Sequence, residues 1–324
     1  MSDFKTGSLV TFCWLLHRNF DETGNDYQPS EDNMKTLAIC WLFAAVGVSS
    51  LPAQPAATPD QKTIIFVAGP KDHGRVDRHE YQKDLAVLKY CVDNMGLKNV
   101  RTQLFNGKAP GMRILNNASA LVLESSGDRI PEETHALLPQ DALTDHKSYD
   151  PYTLDRLKQI DGLMKQGTGL VSIHFSTWIN NELGGKYWLD WLGGVANWGQ
   201  DDSKVLVTKW SAAPIKSEHP ILRGITPWVY EQEKFFFKET MPPDPRRTPL
   251  LAVTRPAGGD AETVSWAVER EGGGRGFVFT GSDFHKNMEI LQHRRMLLNG
   301  VLWGARIEIP GGGASCSVPE ELLK

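Results

Sequence analysis

Four of the nine histidines fall where short apolar runs end, so the chain has imidazoles at places a fold can bring together. His73 and His79 lie in the polar stretch "PKDHGRVDRHE" that follows "KTIIFVAG". His174 closes "GLVSIHF", and His285 comes directly after "RGFVFTGSD". Carboxylates accompany them: Asp128 after "SALVLE", Glu233 in "VYEQEKFFFKE" and Asp283 two residues before His285. Imidazoles from separate strand ends, with a carboxylate such as Glu233 or Asp283 nearby, can ligate a divalent metal or work as a general acid/base pair. Taken singly, each histidine is better explained as a satisfied loop or core residue; it is their number at strand ends that shifts the balance. There is no HExxH or comparable local motif, so the candidate metal set His73, His79, His174 and His285 rests on convergence alone.

Motifs that are absent narrow the chemistry. A strand-to-helix nucleophile turn shows Ser or Cys flanked by glycines; after "GLVSI" the chain reads His174, Phe175, Ser176, Thr177. No glycine-rich phosphate loop opens a helix, and "EGGGRG" at 271–276 reads as a hairpin turn. Nucleotide binding is thereby disfavoured. Between His174 and the next strand come Trp178, Tyr187, Trp188, Trp191 and Trp198. Aromatic faces beside Asn and Asp suit a pyranose, which has an apolar C–H face and polar edges. Trp188 and Trp191, three apart, are also what an amphipathic helix would bury. Trp178 and Trp198 are the better candidates for substrate binding, with His73, His79, Asp128 and Asp283.

The elements that must position these groups follow from the apolar pattern. "KTIIFVAG", "NVRTQLF", "SALVLE" and "GLVSIHF" read as strands, and "EYQKDLAVLKYCVDNMG" and "TLDRLKQIDGLMKQG" as amphipathic helices. Continuous rather than alternating apolar runs indicate a mostly parallel sheet covered on both faces, a doubly wound α/β unit. "KVLVTKW", "VYEQEKFFFKE", "TPLLAVT", "TVSWAVERE" and "RGFVFTG" add strands in the second half, and a helix over about 288–303 closes the domain. In such sheets ligands bind beyond the carboxyl ends of the strands, which is where the histidines fall.

The 324 residues carry 35 basic and 39 acidic side chains, a formal charge of −4 without a basic block. Nucleic acid and anionic membrane are thereby disfavoured as partners, and a small molecule is expected. From Met34, "MKTLAICWLFAAVGVSSLPAQPAATPDQ" has the layout of a secretory signal peptide. Translation is therefore expected to start at Met34, with residues 1–33 a non-native extension, 34–53 the signal and 54–61 a linker. The domain spans 62–310, and 311–324 is read as a flexible tail. The protein is then exported, periplasmic or extracellular, with no stable membrane span after cleavage and with a homo-oligomer open. Cys13 and Cys40 would leave with the leader, and export would permit Cys91 and Cys316 to pair.

Residues 62–310 resemble the ThuA-like (trehalose utilisation) family, in its exported branch. The resemblance runs through "IIFVAGPKDHG", "GLMKQGTGLVSIHFSTW", "SEHPILRGITPWVYEQEKFFF", "GRGFVFTGSDFHKN" and "RRMLLNGVLWGARIEIP". It implies a flavodoxin-like fold of the class I glutamine amidotransferase type, and it marks His73, His79, His174, Glu233 and His285 as the pocket. His219 matches as well, in a turn it serves to orient. Two departures stand out: Gln232, Glu233, Lys234, Phe235 replace an Asp-Glu-x-Tyr pattern, and "GSDFH" can put Asp283 rather than His285 nearest the pocket. The family lacks the amidotransferase cysteine. The resemblance implies carbohydrate catabolism, acid/base or assisted by a divalent metal and without an organic cofactor, on a keto-sugar or glycoside, with His174, His285 and Glu233 catalytic. The other reading is a carbohydrate-binding accessory protein without turnover; a glutamine amidotransferase survives as a fold analogy.

Overall fold

The computed structural model describes residues 61–127, 135–138, 151–179, 182–196, 204–216, 218–237 and 241–324. The expected extension, signal and most of the linker lie outside the described residues. Those that are described belong to one compact unit that begins at Ala57.

Nine strands form one sheet: β1 Lys62–Ala68, β2 Val100–Asn106, β3 Ala120–Glu124, β4 Gly169–Ile173, β5 Lys204–Pro214, β6 Trp228–Phe237, β7 Arg247–Thr254, β8 Glu262–Glu269 and β9 Arg275–Phe279. Their order across the sheet is β2-β1-β3-β4-β9-β8-β7-β5-β6. The half from β2 to β9 is parallel. The rest is an antiparallel extension hung on β9. All nine apolar runs read as strands are strands.

Helices α1 Tyr81–Asn94, α2 Met112–Leu115, α3 Pro151–Lys165, α4 Glu182–Leu192 and α5 Leu291–Gly304 cover both faces. Side chains alternate across a strand, so successive β1 residues serve two cores. Ile64 and Phe66 join Leu85, Leu88 and Val92 of α1 and Leu297 and Val301 of α5 on one face. Ile65 and Val67 join Leu157, Ile160 and Met164 of α3 and Trp188 and Trp191 of α4 on the other. The continuous apolar runs of β1, β3, β4 and β9 therefore have a physical cause, burial on both faces, while the edge strand β2 stays partly exposed.

Close approach fixes β4 against α5. A Cβ on Gly169 would lie 2.1 Å from the Gly304 carbonyl oxygen, so only glycine fits there. The tail expected to be flexible is packed instead. Asn299 on α5 accepts from the Ala314 amide (2.8 Å) while donating to the carbonyls of Ile221 (2.7 Å) and Arg223 (3.0 Å). The Lys83 ammonium of α1 reaches the Lys324 carbonyl at 2.9 Å.

Candidate active site at the strand ends

Three loops meet beyond the carboxyl ends of the parallel strands. The loop after β1 brings Asp72 and His79, the turn after β4 brings His174, and the segment after β9 brings Asp283. Backbone bonds tie the first loop to the third: His79 N to Asp283 O (3.0 Å) and His285 N to Asp77 O (2.8 Å). Four of the six non-glycine residues with positive φ among the described residues are in these loops: Asp77 (71°), His79 (54°), His174 (51°) and Ser282 (81°). Such backbone is sterically costly, and its concentration here is what sites held for function show. Gly74 permits the sharp bend that folds the first loop back, since a Cβ there would sit 2.8 Å from the His79 side chain.

Within this frame two imidazoles face one carboxylate oxygen. His79 Nε2 is 2.8 Å and His174 Nε2 3.3 Å from Asp283 Oδ1, and all three residues are buried. Neither contact has hydrogen-bond geometry, so both Nε2 atoms are left without a hydrogen-bond partner in a buried place. Buried polar atoms are usually paired, and the unpaired ones among the described residues include Ser126 Oγ, Ser282 Oγ, His285 Nε2 and both carboxyl oxygens of Glu124, from the same strand-end region. Donors that share a metal at bonds of about 2.1 Å and angles of about 90–110° stand about 3.0–3.4 Å apart, which is close to what is seen. The other nitrogens are oriented from behind: Asp72 Oδ1 meets His79 Nδ1, and the Thr280 carbonyl lies 3.2 Å from His174 Nδ1. Asp72 is itself held by the Tyr81 hydroxyl at 2.7 Å. Arg78 clamps Asp283, Nε to Oδ2 at 2.6 Å and Nη2 to Oδ1 at 3.2 Å, which turns Oδ1 toward the imidazoles. Carboxylate and carbonyl partners behind histidines are how metal sites fix the ligating tautomer.

The electrostatics agree with a site made for positive charge. Burial acts to raise the Asp283 pKa, but His174, His79 and Arg78 outweigh it and hold the carboxyl well below its usual range. Asp72 is likewise held low, against burial, by His79 and Tyr81. His174 is pushed down to about 4, chiefly by burial, so its ring is neutral and can act as a ligand at neutral pH. For His79 burial lowers the pKa while the neighbouring carboxylates of Asp283 and Asp72 raise it, with a net rise.

The remaining expected residues are distributed around this centre. His73 is at the rim, its side chain 42% exposed and its ring edge-on to His79 at 4.7 Å and to Phe175 at 5.9 Å. Glu233, on β6, is fully buried and braces the third loop: Oε1 accepts from the amides of Lys234 (2.7 Å) and Asp283 (3.0 Å), Oε2 from Asn287 (2.9 Å). Burial pushes its pKa up to about 8. His285 is turned away from the imidazole pair and bonded through Nδ1 to Asp84 of α1 at 2.5 Å. It is therefore Asp283, not His285, that meets His79 and His174. Trp178 is buried, stacked on Phe175 at 5.7 Å, rather than presenting an open face. Asp128 and Trp198 lie outside the described residues.

Asp72, Arg78 and Glu124 were not singled out from the sequence. Asp72 and Arg78 look like ordinary solvated loop charges. Glu124 left one signal, a carboxyl that ends a buried strand; it is fully buried, and burial together with the Asp84 charge raises its pKa well above the ordinary value. A charged cleft of about 360 Å³ lined by Asp161, Lys165, Asp190, Arg246 and Arg270 lies at the opposite strand ends, away from this chemistry.

Fold and site together define a largely parallel α/β domain whose strand-end site is made of imidazole and carboxylate, with no thiol there among the described residues. Residues 130–304 match the family model described as ThuA, trehalose utilisation, and the chain belongs to that family. A solved ThuA-like protein from Bacteroides uniformis ATCC 8492 is similar at 12% identity and a TM-score of 0.50, over 78% of this chain and 94% of that one. One from Parabacteroides merdae ATCC 43184 has 16% identity and a TM-score of 0.49, over 80% and 93%. A glutamine amidotransferase from Methylobacillus flagellatus has 10% identity and a TM-score of 0.36, over 70% and 72%. No curated protein matches.

Proposed function

We propose that this ThuA-family protein is an enzyme of carbohydrate catabolism that uses a divalent transition metal held by His79, His174 and Asp283. The observation that carries the reading is the convergence of two buried Nε2 atoms, neither in hydrogen-bond geometry, on one carboxylate oxygen. Two imidazoles among three donors favour zinc, iron, manganese or a similar ion over magnesium or calcium, which take oxygen ligands. Three protein ligands leave positions for water or substrate. Bound there, the ion would polarise a sugar carbonyl or hydroxyl.

The chain's own residues supply the rest. On a 3-keto glycoside the carbonyl acidifies the C2 hydrogen; a base removes that proton, the freed electron pair forms the C1–C2 double bond, and the glycosidic oxygen leaves with its bonding pair and is then protonated. His73 stands at the rim within reach of incoming substrate and is assigned the proton transfer. Asp72 and Arg78 keep His79 and Asp283 aimed, and Glu233 keeps the Asp283 backbone in place.

The test is turnover of a 3-keto-disaccharide by untagged protein. Activity abolished by a chelator, restored by zinc or manganese, and not restored in Asp283→Asn supports the proposal. Undiminished turnover after complete metal removal sinks the metal mechanism. Disaccharide binding that persists without any turnover and is indifferent to chelation identifies a carbohydrate-binding accessory protein instead.

A further inference from the structure

β6 is the edge strand of the antiparallel extension, with β8, β7 and β5 between it and β9 in the sheet. The extension nevertheless curls far enough for the end of β6 to bond to the residue that follows β9. The Phe236 amide donates to the Thr280 carbonyl at 3.3 Å, and the Thr280 hydroxyl donates to the Phe236 carbonyl at 2.6 Å. Further along, Asn287 donates to the Gln232 carbonyl at 2.8 Å and to Glu233 Oε2 at 2.9 Å, while Glu233 Oε1 accepts from the Asp283 amide at 3.0 Å. Lys286 reaches Gln232 Oε1 at 3.1 Å. A seam of hydrogen bonds thus joins β6 to the segment 280–287.

That segment contains Asp283 and also holds His174. The Thr280 carbonyl lies 3.2 Å from His174 Nδ1. A carbonyl only accepts, so Nδ1 carries the hydrogen, and Nε2, the atom that faces Asp283, keeps its lone pair. The Phe236 ring packs against the same imidazole at 5.1 Å and stacks on Phe175 at 5.6 Å. Thr280 and Phe236 are both buried, where solvent does not replace a lost hydrogen bond.

We propose that Thr280 is a positioning residue of the metal centre: its hydroxyl and carbonyl tie edge strand β6 to His174, and the seam it anchors aims two of the three ligands. The proposal rests on the reading of His79, His174 and Asp283 as metal ligands. Coupling between sites is reciprocal, so a metal held by His174 and Asp283 must in turn tighten the seam. β6 then responds to occupancy of the site although none of its residues is a ligand.

The experiment titrates the full, untagged, metal-stripped chain with zinc against a competing chelator, as the parent, Thr280→Val and Thr280→Ser. The first variant keeps the shape but loses the hydroxyl bond; the second keeps the bond. Thr280→Val should bind zinc about tenfold more weakly and Thr280→Ser within about twofold of the parent, the effect expected of a group behind a metal-bound histidine. A threonine with a merely structural role would lower the melting temperature of metal-free Thr280→Val and leave its zinc affinity unchanged. That outcome overturns the inference while the metal reading stands, as does an equal loss of affinity in Thr280→Ser. Hydrogen exchange of the parent needs no variant: bound zinc should slow exchange of the amides of 228–237. Zinc that binds the parent without slowing them overturns the inference even where Thr280→Val does not fold. A parent that binds no zinc removes the metal reading and this inference with it.

Discussion

At Asp72 a single carboxylate carries two duties, accepting the Tyr81 hydroxyl with one oxygen and holding His79 Nδ1 with the other. It touches no ligand-facing atom, so its removal separates orientation from ligation. Asp72→Asn should leave the protein folded and weaken metal affinity by about 10–100-fold, the usual cost of losing a carboxylate behind a metal-bound histidine. Titration of metal-free protein with zinc against a competing chelator measures it; affinity equal to the parent would show that His79 needs no such partner. Sequence reasoning reached His79, His174 and Asp283 because each stands at a strand end, where ligands collect. It did not reach Asp72 or Arg78, because a loop charge shows its partner only after the bend at Gly74 and the positive φ of Asp77 and His79 have turned the chain. Nor could spacing tell Asp283 from His285. The left-handed Ser282 decides the direction in which each leaves the strand.

Elements act by setting distances between the loops. The strand that ends at His174 begins at Gly169, pressed against the carboxyl end of α5, so β4 cannot shift without moving that helix. Gly169→Ala should destabilise the protein by about 1–3 kcal/mol, because an added methyl in a tight contact forces backbone movement. Urea denaturation would record it, and an unchanged midpoint would mean that the contact relaxes freely. The "HPILRG" turn works at the same level. His219 Nδ1 accepts from the Ile221 amide at 3.3 Å and its ring sits edge-on to Trp303 at 4.9 Å, while Asn299 binds two carbonyls of the turn. Asn299 and Trp303 in the "LLNGVLW" stretch of α5 thereby act as a clasp on this turn rather than in chemistry. The central strands β1, β3, β4 and β9 were legible because a strand buried on both faces is apolar at nearly every position, whereas β2 and the antiparallel strands, partly exposed, showed only shorter apolar runs. The packed tail was not legible, since its hold depends on one asparagine and one lysine that look ordinary in a sequence.

For the molecule as a whole, buried neutral imidazoles tie stability to pH. His135 Nε2 donates to the Ser176 carbonyl at 3.0 Å and its Nδ1 accepts from the Leu137 amide at 3.1 Å, so the added proton has no acceptor. His293 accepts from the Tyr230 hydroxyl at 2.8 Å and is buried. Burial pushes the first down to about 4 and the second to about 3. Each has a folded pKa below its unfolded value near 6.5. The stability each contributes is therefore complete above pH 6.5 and is lost as pH falls toward 4 and 3, at roughly 3 kcal/mol each by pH 4. Because the raised pKa values of Glu233 and Glu124 act in the opposite sense, the test is a difference: the denaturant midpoint of His293→Phe should gain on that of the parent as pH falls from 7 to 4, and a difference independent of pH would contradict the burial argument.

The account depends most on whether His79, His174 and Asp283 hold an ion. Elemental analysis of untagged protein, with thermal melting in added zinc or manganese, tests this most directly. The structure predicts stoichiometric divalent metal, lost in His174→Ala and Asp283→Asn proteins that remain folded, and a melting temperature that rises when metal is returned to the stripped parent. Metal-free protein whose melting is indifferent to either ion would contradict it.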